Sequence, residues 1–249
     1  LHNIPVRTEL GRAFRRAFVP APGLILLVAD YNQIELRCIA HLSGDPSLIA
    51  AFEAGDDIHR SVASRTWGVP TEEVTTELRN RAKMVAYGLA YGMEAYGLAQ
   101  RLDIPTDEAS GILEAYFEAF PGVRDYMDRS VDEARQRGYT ETLFGRRRPI
   151  PELASNNFNV RQAGERQAMN APIQGLAADI FKVALVGIDH GLSAAGLASR
   201  LVLQVHDEVL LEVEPTELDQ VTELVKATMC GAFDLRVELA VDMATGATW

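Results

Sequence analysis

The chain has 249 residues, 47% hydrophobic and 24% charged, with 24 Lys+Arg against 35 Asp+Glu and a formal net charge of −11. That composition excludes wholesale disorder and suits one large domain or two joined lobes around a substantial core. No apolar run approaches the roughly 20 residues that cross a bilayer, no signal-peptide pattern opens the chain, and Cys38 and Cys230 cannot form a disulfide framework, so the expected setting is a reducing cytoplasm without a membrane partner. A first residue of Leu1 rather than Met is what a processed, truncated or excised segment would show.

Along the chain, residues 24–31 (LILLVADY) read as a buried strand that ends in a carboxylate. Residues 45–67 read as two short helices, with Asp56 or Asp57 as an N-cap, and 75–92 as a longer helix. Residues 106–120 form another helix, and Pro121 opens one that Gly138 ends. Residues 139–150 read as a strand or hairpin interrupted by Gly145 and three arginines. Residues 159–190 read as a helix that kinks or breaks at Pro172. Residues 199–213 alternate around His206-Asp207 as a hairpin does; a helix over 215–231 and a strand over 237–243 complete the chain. The order predicts an α+β fold, a small antiparallel sheet carrying a largely helical insertion.

Charge is unevenly placed. From Arg200 onward three basic residues face ten acidic ones, whereas residues 135–166 hold seven arginines against three glutamates, and Arg outnumbers Lys 21 to 3. Codon usage explains an arginine excess as readily as phosphate recognition does, but a local basic stripe on an acidic protein still attracts phosphates.

Asp30 and the pair Asp207-Glu208 punctuate apolar strands, where a carboxylate is costly unless solvated, paired or bound to a cation. Pairing of the two strands would bring Asp30 beside Asp207. Hard divalent ions take oxygen from one or two carboxylates plus phosphate and water, and two ions about 3.5–4 Å apart activate one oxygen and stabilise another. The plainer reading is that these acids are turn residues. Arg79, Lys83, Tyr87 and Tyr91 follow one another at four-residue steps, so on a helix they form one stripe. Cations followed by ring faces suit a triphosphate and its sugar and base; a solvated basic end with core tyrosines has the same spacing. Arg166, Asn170 and Gln174 make a second stripe able to reach phosphate, sugar and minor-groove acceptors, and Arg146, Arg147 and Arg148 lie in the basic region.

Three segments then carry a resemblance. Residues 30–37 (DYNQIELR) resemble motif A of family A DNA polymerases, Arg79-x-x-x-Lys83-x-x-x-Tyr87-Gly88-x-x-Tyr91-Gly92 resembles motif B, and Gln204-Val205-His206-Asp207-Glu208 resembles motif C. Asp57-Ile58-His59, residues 143–148 (LFGRRR), residues 170–175 (NAPIQG) and the opening residues 3–8 (NIPVRT) are similar to family segments in the same order. The resemblance implies a palm over residues 1–42 and 161–249, with fingers over 43–160. It also implies template-directed DNA synthesis, in which a primer 3′-hydroxyl attacks the α-phosphorus of a dNTP and pyrophosphate leaves.

By the same resemblance, Asp30, Asp207 and the Tyr31 carbonyl would hold two Mg²⁺ ions, with Glu208 an auxiliary carboxylate. Arg79, Lys83 and His59 would grip the triphosphate, Lys83 also serving as a proton donor, and Tyr87 would pack on sugar and base. Gln33 belongs to the nucleotide-binding set, and Glu35, buttressed by Tyr91, would be the gate against a ribose 2′-hydroxyl. Primer-template DNA would be met by Arg146, Arg147, Arg148, Arg166, Asn170, Gln174 and His206. Gly88 and Gly92 would belong to a hinge.

Departures from the family pattern are Asn32 for a usual serine, Met84-Val85-Ala86 for Thr-Ile-Asn, and Leu176 for a small hydroxyl residue. None is an expected metal or phosphate ligand. Tyr87, where the family carries Phe or Tyr, implies acceptance of dideoxynucleotides. The family's thumb, the start of its palm and its exonuclease-like domain would lie upstream of Leu1, so a missing N-terminal portion or a separate chain would supply the thumb. The implied setting is bacterial cytoplasm at the nucleoid, or a phage protein in a bacterial host. A two-metal nuclease or phosphatase would use the same aspartates without needing the Arg79-to-Tyr91 stripe. A single-subunit RNA polymerase would not need Glu35 as a gate. A non-catalytic DNA-binding or assembly module accounts for the missing thumb.

Overall fold

A computed structural model describes residues 8–55, 57–90 and 92–249. Its elements begin with α1 (Glu9–Arg15), β1 (Ile25–Tyr31), α2 (Ile34–Ser43), α3 (Pro46–Glu53), α4 (Ile58–Trp67), α5 (Thr76–Ala90), α6 (Ala95–Leu102), α7 (Thr106–Ala119) and α8 (Pro121–Arg137). They continue with β2 (Tyr139–Glu141), β3 (Arg147–Pro149), α9 (Phe158–Ala194), β4 (Arg200–Val205), β5 (Glu208–Val213), α10 (Leu218–Cys230) and β6 (Val241–Gly246). Two compact units result: the described residues up to Ile34 with 178–234 and 238–249, and residues 35–177 with 235–237.

The first unit is built on an antiparallel sheet in the order β4-β5-β1-β6. The run Ile-Leu-Leu-Val-Ala-Asp-Tyr is apolar enough to be a central strand, with Leu26, Leu27, Ala29 and Tyr31 all buried. Directly opposed residues of an antiparallel pair point to the same face. One face therefore carries Leu27, Ala29 and Tyr31 with Val209, Leu211 and Val213. Tyr31 donates its hydroxyl to the Met229 carbonyl at 2.7 Å and meets Phe181 edge-on, so α10 and the later part of α9 cover that face. The opposite face carries Asp30 with Glu208 on one side and Asp242 on the other.

The second unit is helical, with the small β2-β3 hairpin. Asp45 fastens it, accepting from Leu48 N–H at 2.9 Å to cap α3 and from Gly122 N–H at 2.8 Å at the start of α8. A Cβ at Gly122 would fall 3.0–3.1 Å from Asp45, so the close approach favours glycine. Asp57 caps α4, Pro121 opens α8, and Gly138 ends it in the left-handed region (φ 78), as expected. Val131, Ala134, Ile150 and Ala168 form a core cluster with Leu153 and Met169 packed against it.

The elements differ from expectation at several places. Among the described residues α9 runs 37 residues without a break at Pro172. A proline there removes one backbone donor, at about 3 kcal/mol, but Ala171, Pro172, Ile173, Leu176 and Ala177 are all buried and packing holds the helix together. The same helix contains an 18-residue stretch long and apolar enough to cross a membrane by composition, contrary to the sequence reading; 61% of it is buried inside the protein, which marks a core helix. The last strand starts at Val241 rather than 237. Val237 and Leu239 are buried, which produces the apolar alternation, but the ladder begins only where Val241 meets Tyr31. Pro215 opens a short 3₁₀ turn, and α10 starts at Leu218. The helices α1, α2 and α6 were not anticipated.

Candidate functional site

In the first unit, carboxylates gather at one end of the sheet. The register sets Asp30 opposite Glu208 and also opposite Asp242, and the Tyr31 amide donates to the Asp207 carbonyl at 3.3 Å. Like charges set directly opposite each other destabilise a sheet, so this row needs compensation. Two flanking members receive it from neutral donors. Asn32 Nδ2 donates to Asp242 Oδ2 at 2.9 Å, which gives the departure Asn32 a definite task, and the Trp249 indole N–H donates to Glu208 Oε1.

The backbone is strained on both sides of the aspartates. Gln33, three residues after Asp30, and His206, immediately before Asp207, both adopt φ 56, where non-glycine residues pay of order 1–3 kcal/mol. His206-Asp207 is the two-residue connection of the β4-β5 hairpin, with only its first residue left-handed, the pattern of a type II′ turn. Gln204 Nε2 secures it by donating to the His206 carbonyl at 2.8 Å. Asp207 is half-buried; burial foremost, and Glu208 next to it, raise its carboxyl above the usual range against the opposing effects of its own amide and His206. A nearby cation would reverse that penalty.

No three His, Cys, Asp or Glu side chains form a metal cage among the described residues. The carboxylates of Asp30, Asp207 and Glu208 at this end of the sheet are the kind of oxygen donor that suits a hard divalent ion, which completes its shell with phosphate and water.

In the second unit, α5 presents Arg79, Lys83 and Tyr87 on one stripe, and the start of α4 meets it. Lys83 Nζ lies 5.8 Å from the Tyr87 ring centroid, and the His59 and Tyr87 rings are 5.9 Å apart. His59 is 1% exposed, and neither ring nitrogen has a hydrogen-bond partner among the described residues. Burial foremost, with Lys83 and Arg79 adding, pushes its pKa down to about 4 against the attraction of Asp57, so it is neutral at pH 7. An orphaned, buried imidazole suits an incoming acceptor such as phosphate. Arg79 already has a partner: its Nε lies 2.5 Å from Asp57 Oδ2.

Glu35 is half-buried in the first turn of α2. Tyr91 lies outside the described residues. A Cβ at Gly92 (φ 71) would fall 2.0 Å from Asn170 Nδ2 and 3.4 Å from Arg166 Cβ, so the second polar stripe packs against this glycine. Arg166 Nη1 is 3.2 Å from Glu94 Oε1, Asn170 keeps a buried Oδ1 without a hydrogen bond among the described residues, and Gln174 is half-buried one turn on. The three hairpin arginines are exposed but engaged within the unit. Arg146 Nη2 donates to the Gly175 carbonyl at 3.0 Å, Arg147 Nε pairs with Glu141 at 2.7 Å, and Arg148 Nη2 donates to Gln167 at 3.0 Å.

Sequence reasoning missed Asp57 as the partner of Arg79, a contact 22 positions apart that no local pattern encodes. It also missed Asp242, Glu94 and Trp249, for which no local pattern exists.

The antiparallel sheet with its gathered carboxylates and the helical unit with its cation-and-aromatic stripe define an α+β protein; the carboxylates suit hard divalent ions, and the stripe suits phosphates. The chain belongs to DNA polymerase family A, whose family model matches residues 1–249. It is 55% identical over 250 residues to DNA polymerase I of Mycobacterium tuberculosis (strain ATCC 25618 / H37Rv) and 51% identical to DNA polymerase I of Lactococcus lactis subsp. lactis (strain IL1403). Each alignment covers 100% of this chain and 28% of the relative, so the chain spans just over a quarter of their length. Among solved structures, the POL domain of Pol1 from M. smegmatis in complex with DNA primer-template and dNTP is similar over 100% of this chain and 44% of that one, with 54% identity and a TM-score of 0.95.

Proposed function

We propose that the chain is the catalytic portion of a larger polymerase that performs template-directed DNA synthesis, joining a dNTP to a primer 3′-hydroxyl with release of pyrophosphate. The observation that supports this best is the meeting of Asp30 and Asp207, 177 positions apart, through the β1-β5 register and the Tyr31-to-Asp207 hydrogen bond. Two Mg²⁺ ions held by Asp30, Asp207 and the Tyr31 carbonyl would supply a lowered hydroxyl pKa and charge neutralisation at the triphosphate. His59, Arg79 and Lys83 bind the phosphates, and Lys83 gives a proton to the departing pyrophosphate. Tyr87 packs on the sugar and base, Gln33 adds a nucleotide contact, and Glu35 with Tyr91 leaves no room for a 2′-hydroxyl. Arg166, Asn170, Gln174 and His206 meet primer-template DNA near the new pair, with Arg146, Arg147 and Arg148 farther along.

In this reading residues 1–42 and 161–249 act as palm and 43–160 as fingers, and residues upstream of Leu1 or a separate chain provide the thumb. The setting proposed is the cytoplasm of a bacterium, the named relatives being bacterial. Primer extension with Mg²⁺, on wild type and Asp207→Ala, with and without an upstream portion, tests the reading. Extension that requires Asp207 and improves with the upstream portion supports it. DNA binding without extension in every combination would leave a non-catalytic binding module.

A further inference from the structure

Trp249 is held on three sides in the first unit. Its backbone N–H donates to the Phe18 carbonyl at 3.1 Å, its ring meets Phe18 edge-on at 5.3 Å, and the Arg15 guanidinium carbon sits 3.9 Å from its ring centroid. The Arg15 Nε is buried and makes no hydrogen bond among the described residues, and the guanidinium lies against the indole face. A cation over an indole draws electron density from the ring and makes the N–H a stronger donor. That N–H is directed at Glu208 Oε1, and Glu208 is opposite Asp30 and next to Asp207. Arginine, indole and carboxylate thus stand in sequence, so that the arginine strengthens a neutral hydrogen bond to Glu208 rather than pairing with it directly.

Resting on the reading of Asp30 and Asp207 as metal ligands, we infer that Trp249 is a positioning residue that withholds Glu208 from the divalent ion. An Oε1 engaged by the indole has one lone pair fewer to offer a cation. Asp30 and Asp207 then carry the ligation, and Glu208 stays an outer carboxylate.

The test is Mn²⁺ binding by this chain, followed through the electron paramagnetic resonance of the free ion. Trp249→Phe keeps an aromatic face for Arg15 and Phe18 but removes the N–H; its thermal midpoint is checked against wild type. The expected result is Mn²⁺ affinity about three- to tenfold tighter in Trp249→Phe, as Glu208 is released to join the shell. Glu208→Gln alone shifts affinity by less than about twofold, and adding Trp249→Phe to it produces no further change. Unchanged or weaker binding in Trp249→Phe overturns the inference, and so does tightening that persists in the Glu208→Gln background. Asp30→Asn and Asp207→Asn separate the two levels. If both leave Mn²⁺ binding intact, the metal reading fails and the inference falls with it. If they weaken binding while Trp249→Phe changes nothing, the inference alone fails.

Discussion

Arg79 Nε lies 2.5 Å from Asp57 Oδ2, and the other oxygen of the same carboxylate caps α4 by accepting from the His59 and Arg60 amides at 3.0 and 3.3 Å. Partial burial works to raise the Asp57 carboxyl, but the Arg79 guanidinium and the two amides outweigh it and hold the group below the usual range. An arginine expected to grip phosphate is therefore held by an acid that also organises the helix start. Both side chains are about a third exposed (32% and 33%), so the pair is worth at most about 1 kcal/mol and a phosphate displaces it readily. Asn caps as well as Asp, so Asp57→Asn keeps the helix start while freeing Arg79. Nucleotide titration followed by calorimetry is expected to show triphosphate binding about two- to fivefold tighter in that variant. Asp57→Ala adds a loss of about 1 kcal/mol in stability from the missing cap. Weaker nucleotide binding in Asp57→Asn would mean that the pair presents Arg79 rather than restrains it.

His59 makes stability depend on pH. Its folded pKa is lowered to about 4, so between roughly pH 6.5 and 4 the unfolded chain binds a proton that the folded chain does not. Stability is then full above about pH 6.5 and is lost as pH falls through this window. The linkage amounts to about 2 kcal/mol between pH 7 and 5. Urea denaturation of His59→Gln is expected to show a correspondingly flatter profile. Equal slopes for the variant and wild type would show that the imidazole is protonated in the folded state.

The two glycines of the α5 segment respond differently to alanine. Gly92 has φ 71 and a would-be Cβ 2.0 Å from Asn170, so Gly92→Ala meets both a left-handed penalty and a displaced polar stripe, together about 2–3 kcal/mol. The described atoms nearest a Cβ at Gly88 belong to the Met93 side chain, Sδ at 3.2 Å and Cβ at 3.3 Å, and the helical gain of up to about 1 kcal/mol offsets the crowding. Thermal unfolding should separate them clearly. Equal losses would mean that Gly88 is as tightly packed as Gly92.

What could be read in advance follows from range. The Leu26-to-Tyr31 run, the caps at Asp57 and Gly138, and the His206-Asp207 turn are encoded within a few residues, and each appears where its local chemistry requires. The stripe of Arg79, Lys83 and Tyr87 is equally local. Asp30 and Asp207 are legible as partners because each carboxylate punctuates an apolar strand or hairpin. Their neighbours were not legible. Asp242 enters the row only through the β1-β6 register, and the expected last strand was placed several residues early because Val237 and Leu239 are buried without joining the ladder. Trp249 meets Glu208 through tertiary packing that no periodicity encodes. Pro172 misled for the same reason in reverse: its local penalty is real, and burial of its neighbours outweighs it.

Tyr87 gives a prediction about substrate choice. Its ring sits near His59 and Lys83 on the face expected to meet the sugar. In primer extension with the upstream portion present, dideoxy and normal nucleotides are expected to be incorporated comparably. Tyr87→Phe removes the hydroxyl while keeping the ring, and is expected to lower dideoxy use by an order of magnitude or more, about 1.4 kcal/mol or above in the transition state. Strong rejection of dideoxynucleotides by wild type would remove Tyr87 from the sugar contact.

His206 separates stability from function. A type II′ turn favours glycine at its first position, and His206 occupies it at φ 56. Relief of that strain exceeds the extra entropy glycine carries in the unfolded chain, so His206→Gly is expected to stabilise the chain by about 0.5–1 kcal/mol in urea denaturation. Loss of the imidazole beside Asp207 removes a proposed DNA contact, so extension from a bound primer should fall while stability rises. A variant destabilised by more than about 1 kcal/mol would instead make the side chain a structural part of the hairpin, since strain relief alone has the opposite sign. Opposite movements of stability and extension would register a use for the ring at this strained position.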